Sequence, residues 1–505
     1  MLDSGVKEAG NDSSVRIQTA ENVAIIVAVQ WVSRGFAFAT KIILARVLFP
    51  ADFGTFALAA GLIGFVSAFG NFGLDYALIQ RADSARDEDY EVAMSLRAVI
   101  SIALLAASLA LAGPWSSIFG NPVIAGATQA LAIVYLISPW SLVPTARLTV
   151  KLAYRRLVVP NILSQFANSV VAIGLAMLGF GFWSLVVSLI ASQVVWVVSL
   201  SIAYPWRPRF RFDPVVARSL FAYSRHIIIA SVLVFLMTNV DNFTVGFFLG
   251  SSKLGYYAVA YSLCLFSSMV SGSAATALFP TLSKFQEDLP RVRRGYLESF
   301  GYAVATVTPL ALGLAIVAPE IVLVLLGVEW TPSIVPLIFL SFYGFFKAIV
   351  EFTTPLFASM GHPNAIPRLN ALILIGSLAL LPPLTVLFGI AGTALAMTIP
   401  VPFALVVSFL WAARILQLEP RDLAVRLRGP VLAAGIAAVL VFVLKTIIYS
   451  FGGPDVVVLA VATLVGAPAY FVSLKRIEPE VYAGLARHLR LLMNVFQGKD
   501  ASQRS

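Results

Sequence analysis

Charged side chains are scarce in this 505-residue chain: they make up 12% of it, about half the share typical of a soluble globular domain. Hydrophobic residues account for 59%, and the mean hydropathy is +0.90. A single cysteine, Cys264, excludes an internal disulfide and any cysteine-based metal cluster. The histidines His226, His362 and His488 are too far apart to show ligand spacing. We therefore expect a polytopic membrane protein without a metal site.

Motifs for nucleotide chemistry are also missing. No G-x-x-x-x-G-K-[ST] sequence is present, so ATP cannot be used by a P-loop mechanism. Asp87-Glu88-Asp89 matches the D-x-D pattern of metal-dependent glycosyltransferases, but no nucleotide-binding βα unit surrounds it, and we interpret it as a solvated acidic loop. The longest predicted outer connection, 113–122, contains no acid, histidine or arginine. We expect no enzyme activity, no catalytic residue, and no cofactor, nucleotide or nucleic-acid partner.

Apolar stretches of about 20 residues predict about fourteen transmembrane helices in an all-α fold. The turns at Gly179-Phe180-Gly181 and Phe388-Gly389 alone separate the fifth span from the sixth and the eleventh from the twelfth. We place the spans near 23–45, 53–79, 92–112, 123–145, 158–180, 182–204, 225–249, 256–280, 297–325, 333–359, 368–388, 390–412, 430–448 and 455–474.

Lysine and arginine are distributed unevenly among the loops. Of 35 such residues, 28 fall on one side of the membrane in this arrangement, five lie within spans, and Arg46 and Lys253 alone fall on the other side. Because cytoplasmic loops retain positive charge, both termini are predicted to be cytoplasmic. The net charge of +10 then lies at the cytoplasmic surface, where it favours contact with anionic membrane lipids.

An internal repeat divides the chain. LFPADFGTFALA at 48–59 aligns with LGSSKLGYYAVA at 249–260 at a constant offset of 201 residues. The offset spans six helices, an even number, so we expect two parallel-topology six-helix halves around a central cavity, as in alternating-access carriers, plus two C-terminal helices. The predicted domains are a cytoplasmic N-tail 1–22, the first half 23–204, a connector 205–224, the second half 225–412, a connector 413–429, two additional helices 430–474 and a cytoplasmic C-tail 475–505.

Arg34 lies near the middle of the first predicted span. A guanidinium at that depth costs ~2.5–3.5 kcal/mol if it faces lipid, so it should face protein or an aqueous cavity. Gln30 and Lys41 lie on the same helical face, which makes a cationic stripe. Two interpretations stay open for Arg34: a contact with an anionic substrate, or an ion pair with Asp241.

Three further spans carry polar side chains. In the seventh span, Asp241 and Asn242 lie within a polar stretch that should face the cavity. In the second span, Asn71 and Asp75 continue a stripe that begins at Ser67, and such residues suit hydroxyl recognition. In the tenth span, Lys347 and Glu351 are four residues apart, so they either contact substrate or neutralise each other. Arg97, Glu320 and Lys445 lie nearer helix ends, where snorkelling accounts for each.

Two segments carry a resemblance to a known family. ARVLFPADFGTFAL at 45–58 and FGNFGLDYALIQ at 69–80 closely resemble the start of the polysaccharide transporter (Wzx-type flippase) family, within the multidrug/oligosaccharidyl-lipid/polysaccharide exporter superfamily. The resemblance covers nearly the whole chain, including the helix count and the repeat.

This resemblance implies a carrier in the bacterial inner membrane. Its substrate would be an undecaprenyl-diphosphate-linked oligosaccharide for exopolysaccharide, capsule or O-antigen biosynthesis, and polysaccharide polymerase and export machinery would be further partners. A cation-coupled multidrug antiporter of the same superfamily would favour acidic residues where Arg34 lies. A peptidoglycan-precursor flippase has a similar architecture and remains an alternative.

Overall fold

The computed structural model describes residues 33–70, 74, 78, 79, 86–151, 153–207 and 209–496. These residues form helices joined by short turns, and no strand occurs among them. Ten helices in this part of the chain are long and apolar enough to cross a membrane, or up to eleven when the bent pair Val123–Ile137 and Pro139–Val150 is counted as one span. The protein is therefore an all-helical, multi-pass membrane protein, as predicted.

Where the structure describes them, the predicted spans fall mostly on helical backbone. Pro214–Lys284 contains two predicted spans, which Gly250 separates with a positive φ of 82°. Ala365–Thr398 contains the eleventh span and the start of the twelfth, which Gly389 separates with a positive φ of 61°. A positive φ favours glycine. The helices are 33–47, Pro50–Gly70, Asp87–Ile118, Val123–Leu131 with Val134–Ile137 and Pro139–Val150, Tyr154–Met177, Trp183–Ala203, Pro214–Lys284, Leu289–Ile316 with Ala318–Ile321, Ile334–Ser359, Ala365–Thr398, Pro400–Leu416, Pro420–Ser450 and Asp455–Ile477.

The chain divides into two compact units, Met1–Gly255 and Tyr256–Ser505. The first unit contains the seventh span, which the sequence repeat assigns to the second half. The two divisions differ because they rest on different properties: the repeat is a similarity between two segments of sequence, whereas the compact units are defined by the contacts that residues make in the fold. The predicted domain boundaries follow the repeat and remain predictions.

In the first unit, small residues of the second helix receive aromatic rings of the seventh. A Cβ at Gly61 would lie 2.7 Å from the ring of Phe243, and one at Gly64 would lie 2.6 Å from the ring of Phe235. The Phe243 ring also lies edge-on to Trp115, with centroids 5.3 Å apart. Edge-to-face rings at such distances attract each other beyond their area burial. Glycine spacing in the second helix therefore determines how closely the seventh helix packs against it.

Backbone approaches backbone where the second and eighth helices begin. A Cβ at Gly54 would overlap the carbonyl oxygen of Ser251, and a Cβ at Gly255 would overlap that of Pro50. All four residues belong to the first unit. Only glycine permits contacts this close.

The second unit continues past the last predicted span into an additional helix, Pro479–Phe496. The prediction of a C-tail over 475–505 did not include this helix. Val481 is buried in a cluster with Ala305, Tyr470 and Leu474, and the Tyr470 hydroxyl donates to the Ala305 carbonyl at 2.5 Å. The helix begins at Pro479, directly after the span ends, and its apolar residues recur with helical periodicity. That periodicity was the available signal, but the stretch is too polar to be found by a search for membrane spans.

Asp87 and Glu88 are exposed, as expected of a solvated segment, but Asp87-Glu88-Asp89 is helical and does not form the predicted loop. The three acids are the first turn of Asp87–Ile118, where carboxylates interact favourably with the helix dipole. Asp87 forms an ion pair with Arg147, and Glu88 Oε1 lies 2.6 Å from Arg211 Nη1. These cations are 60 and 123 residues away in the sequence, and only the fold brings them to the acids.

Candidate substrate-binding site

Arg34 lies in the first turn of the described part of the first helix, and its side chain is exposed on the protein. It is eleven residues from each end of the predicted span 23–45, which is roughly 16 Å at the helical rise. The carboxylate of Asp241, by contrast, is fully buried, with 0% exposure. The Oδ1 atom of Asp241 accepts the backbone N–H of Asn242 at 2.9 Å.

Lys41 is half-buried two turns after Arg34, on the same face of the first helix. Beside this face the first helix is fastened to the fifth, Tyr154–Met177. Ser33 Oγ donates to Asn161 Oδ1 at 2.9 Å, and Thr40 Oγ1 donates to Ser169 Oγ at 2.7 Å. The fifth helix was absent from our predicted site. Its signal was a run of polar residues within an apolar span, at 161, 164, 165, 168 and 169.

The polar stretch of the seventh helix is largely satisfied by its own backbone. Thr238 and Thr244 donate to carbonyls four residues earlier, at 3.0 and 2.7 Å, and the Asn239 amide donates to the Phe235 carbonyl at 3.0 Å. Asn242 differs, because its buried Oδ1 has no hydrogen-bond partner among the described residues. An unsatisfied buried amide oxygen is uncommon in a folded protein, and Asn242 is the residue of this stretch at which the described structure leaves one.

The tenth helix, Ile334–Ser359, carries the pair predicted in the second unit. Lys347 Nζ lies 3.9 Å from Glu351 Oε1 and donates to the Tyr343 hydroxyl at 3.1 Å. The Tyr343 ring in turn lies 6.0 Å from that of Tyr261. This geometry favours the interpretation in which lysine and glutamate neutralise each other within one helix.

Three predicted site residues, Gln30, Asn71 and Asp75, lie outside the described residues. Ser67, which begins the stripe of the second helix, is described. Its hydroxyl lies 3.0 Å from the hydroxyl of Tyr135, which donates to the Ile63 carbonyl at 2.6 Å. Ser67 therefore joins two helices of the first unit.

Glu320 and Lys445 do not snorkel, contrary to our expectation. Glu320, in the short helix Ala318–Ile321, has 0% exposure, and its Oε1 lies 2.7 Å from Lys445 Nζ. The Tyr449 hydroxyl donates to the same carboxylate at 2.6 Å. The expectation was wrong because these residues are far apart in sequence and meet only when the thirteenth helix packs beside the ninth. Arg97, ten residues after the start of Asp87–Ile118, donates to the Gly70 carbonyl at 3.2 Å.

No group of three or more histidine, cysteine, aspartate or glutamate side chains that could hold a metal ion occurs within the described part of the chain. The polar groups described above include cations, amides and hydroxyls distributed along several helices, besides the carboxylates of Asp241, Glu320 and Glu351. Such groups suit a molecule that carries anionic and hydroxyl groups.

The fold defines an all-helical, multi-pass membrane protein. A solved structure of the lipid II flippase MurJ, in an inward closed conformation, superposes with a TM-score of 0.76 over 90% of this chain and 99% of that one, at 12% identity. An inward-facing multidrug resistance MATE family transporter of the MOP superfamily gives a TM-score of 0.62 over 76% and 94% of the two chains, at 16% identity. At these identities the likeness establishes the fold alone.

The family model described as "Polysaccharide biosynthesis protein" matches residues 43–335, more than half of the chain, and the protein belongs to this family. The succinoglycan biosynthesis transport protein ExoT of Rhizobium meliloti (strain 1021) is 29% identical over 303 residues, 59% of this chain and 60% of the relative. The lipopolysaccharide biosynthesis protein WzxC of Escherichia coli (strain K12) is 22% identical over 313 residues, 60% of this chain and 62% of the relative. The chain thus spans about three fifths of the length of these relatives.

Proposed function

We propose that the protein is a flippase that carries an undecaprenyl-diphosphate-linked oligosaccharide across the bacterial inner membrane, from the cytoplasmic to the periplasmic leaflet. Alternating access between two parallel-topology halves would move the substrate, and both termini would lie in the cytoplasm. Family membership supports a role in polysaccharide biosynthesis. Relatives named as a transport protein and as a lipopolysaccharide biosynthesis protein support the substrate class.

One observation carries the proposal: Arg34, at the middle of the predicted first span, is exposed, with Lys41 on the same face of the helix. An exposed guanidinium there faces either lipid or a water-filled passage, and lipid costs ~2.5–3.5 kcal/mol. A passage with two cations offsets part of the cost of moving a diphosphate through a low-dielectric bundle. The same cations would repel a cationic drug, which argues against a multidrug antiporter.

A chromosomal deletion tests the function. Cells without the gene should accumulate a lipid-linked oligosaccharide, and the wild-type gene should clear it. Arg34→Ala should fail to clear it at normal protein level, and Arg34→Lys should restore part of the activity, because a mobile diphosphate needs charge more than a bidentate fork. Accumulation of the peptidoglycan precursor would support the peptidoglycan-flippase alternative. Absence of any accumulated lipid-linked sugar would contradict the proposal.

A further inference from the structure

The seam between the first and fifth helices has two chemically different flanks. Ser33 forms a hydrogen bond with Asn161, and Thr40 forms one with Ser169. The later residue of the first helix therefore contacts the later residue of the fifth, which shows that the two helices run parallel at this seam. Gln165 lies midway between the two bonded positions of the fifth helix. These bonds fix the rotation of both helices about their axes, so the flank on which each neighbouring side chain lies follows from helical geometry.

Arg34 and Lys41 each follow a bonded residue of the first helix by one position, so they project to one side of the seam. When two right-handed helices pack side by side and run parallel, residues directly after the bonded positions of one helix project to one side of the seam. Residues that precede the bonded positions of the other helix project to that same side. On the fifth helix these are Ser164 and Asn168. Asn168 directly precedes Ser169, and Lys41 directly follows Thr40, so Asn168 and Lys41 are separated by about 3 Å along the helix axes, less than one helical turn.

The opposite flank is apolar and exposed. It carries Phe36 and Ile43 from the first helix, each 41% exposed, and Phe166 and Val170 from the fifth, 53% and 51% exposed. Large hydrophobic side chains with this exposure in a membrane-spanning helix pair indicate contact with lipid. The polar flank with Arg34 and Lys41 therefore faces away from that lipid, towards the passage of the proposed function.

We propose that Asn168 binds the anionic head group of the substrate together with Lys41, and so determines affinity for the lipid diphosphate. This inference rests on the proposed function. Asn168 is half-buried, and within the described part of the chain its side-chain amide makes no hydrogen bond. Its N–H groups can donate to a phosphate oxygen beside the Lys41 ammonium, and bonds from amide donors to charged oxygens are among the stronger hydrogen bonds. Ser164 donates to the Asn161 carbonyl at 2.9 Å and lies one turn before Asn168.

The test measures binding of undecaprenyl diphosphate to the full-length protein in nanodiscs of neutral phosphatidylcholine. We expect Asn168→Leu to weaken binding by on the order of tenfold, the loss of one hydrogen bond to a charged group. Asn168→Asp should weaken it further, because the new carboxylate pairs with Lys41 and repels the diphosphate. Phe166→Leu, on the apolar flank, is the matched control and should bind like the wild type.

The outcomes separate this inference from the proposed function. If Arg34→Ala loses binding while Asn168→Leu and Asn168→Asp bind like the wild type, the role of Asn168 is refuted and the function stands. If the wild-type protein binds undecaprenyl diphosphate no more tightly than the Arg34→Ala variant does, the proposed function fails. If Asn168 has only a structural role, the Asn168 variants should have a lower melting temperature, but the folded fraction of each variant should bind the diphosphate as tightly as the wild type. That result would also overturn the inference.

Discussion

Gly255 packs so closely against the carbonyl oxygen of Pro50 that no other residue fits there, and Gly54 makes the equivalent contact with Ser251. The repeat offset of 201 residues relates Gly54 to Gly255 and Pro50 to Ser251. The two contacts are therefore reciprocal, in the way that contacts across a two-fold interface are. The repeat and the helix contact are thus two aspects of one local symmetry.

This reciprocity predicts the effect of adding a methyl group. Gly255→Ala should place its Cβ against backbone that cannot rotate away, and overpacking of this kind costs ~1–3 kcal/mol. We expect a lower melting temperature for the purified protein in detergent. Gly174→Ala is the control, since a Cβ at that helical position meets nothing within 4 Å and should stabilise or leave stability unchanged. Equal melting temperatures for Gly255→Ala and the wild type would contradict the close contact.

The buried pair of Glu320 and Lys445 gives a second prediction. Removal of one partner leaves the other charge buried and alone, so Glu320→Gln and Lys445→Met should each destabilise the protein by ~3–5 kcal/mol. The double variant should be much more stable than the sum of the single effects predicts. Thermal unfolding of the four proteins measures this coupling.

Arg476→Met is the control for removal of a cation, because Arg476 is exposed at the end of its helix. Its melting temperature should stay near that of the wild type. If the effects of Glu320→Gln and Lys445→Met simply add in the double variant, the pair contributes nothing beyond its separate residues.

The predicted topology can be tested by thiol labelling. Cys264 is buried and is the one cysteine of the sequence, so Cys264→Ala provides a clean background. Cysteines introduced at the exposed positions Ser117 and Ser252 should react with an impermeant maleimide added to intact spheroplasts, whereas one at Gln286 should react only after lysis. The reverse pattern would overturn the orientation inferred from lysine and arginine.

The two interpretations of Arg34 make different predictions for a double variant. If Arg34 served to neutralise Asp241, Arg34→Gln with Asp241→Asn would restore export that either single change abolishes. The structure places Arg34 on the surface and Asp241 in the interior, so we expect the double variant to insert but not to export. Measurement of surface polysaccharide at matched protein level decides the question, and near-normal export by the double variant would remove Arg34 from the substrate path.

Membrane spans were predictable because hydropathy is local. Even the two turns that alone separate neighbouring spans are present: Gly179 and Gly181 have positive φ between Met177 and Trp183, and Gly389 breaks the helix after the eleventh span. A glycine between two apolar runs can be recognised within a short stretch of sequence, without knowledge of distant residues.

Pairings between distant residues were not predictable. The contacts of Glu320 with Lys445 and of Asp87 with Arg147 join residues more than 50 positions apart, and no periodicity within one helix indicates them. The fifth helix was predicted as a span but was left out of the predicted site for a related reason. Asn161 and Ser169 are ordinary polar residues until Ser33 and Thr40 are seen to bond them.

Translocation by the purified protein tests the central claim most directly. Proteoliposomes would carry undecaprenyl-diphosphate-linked oligosaccharide in both leaflets, and a membrane-impermeant glycosidase added outside would report how fast glycan from the inner leaflet becomes accessible. We predict that wild-type protein exposes the inner-leaflet glycan well above the rate of protein-free vesicles, and that Arg34→Ala protein does not. Equal rates for wild-type, Arg34→Ala and protein-free vesicles would contradict the account.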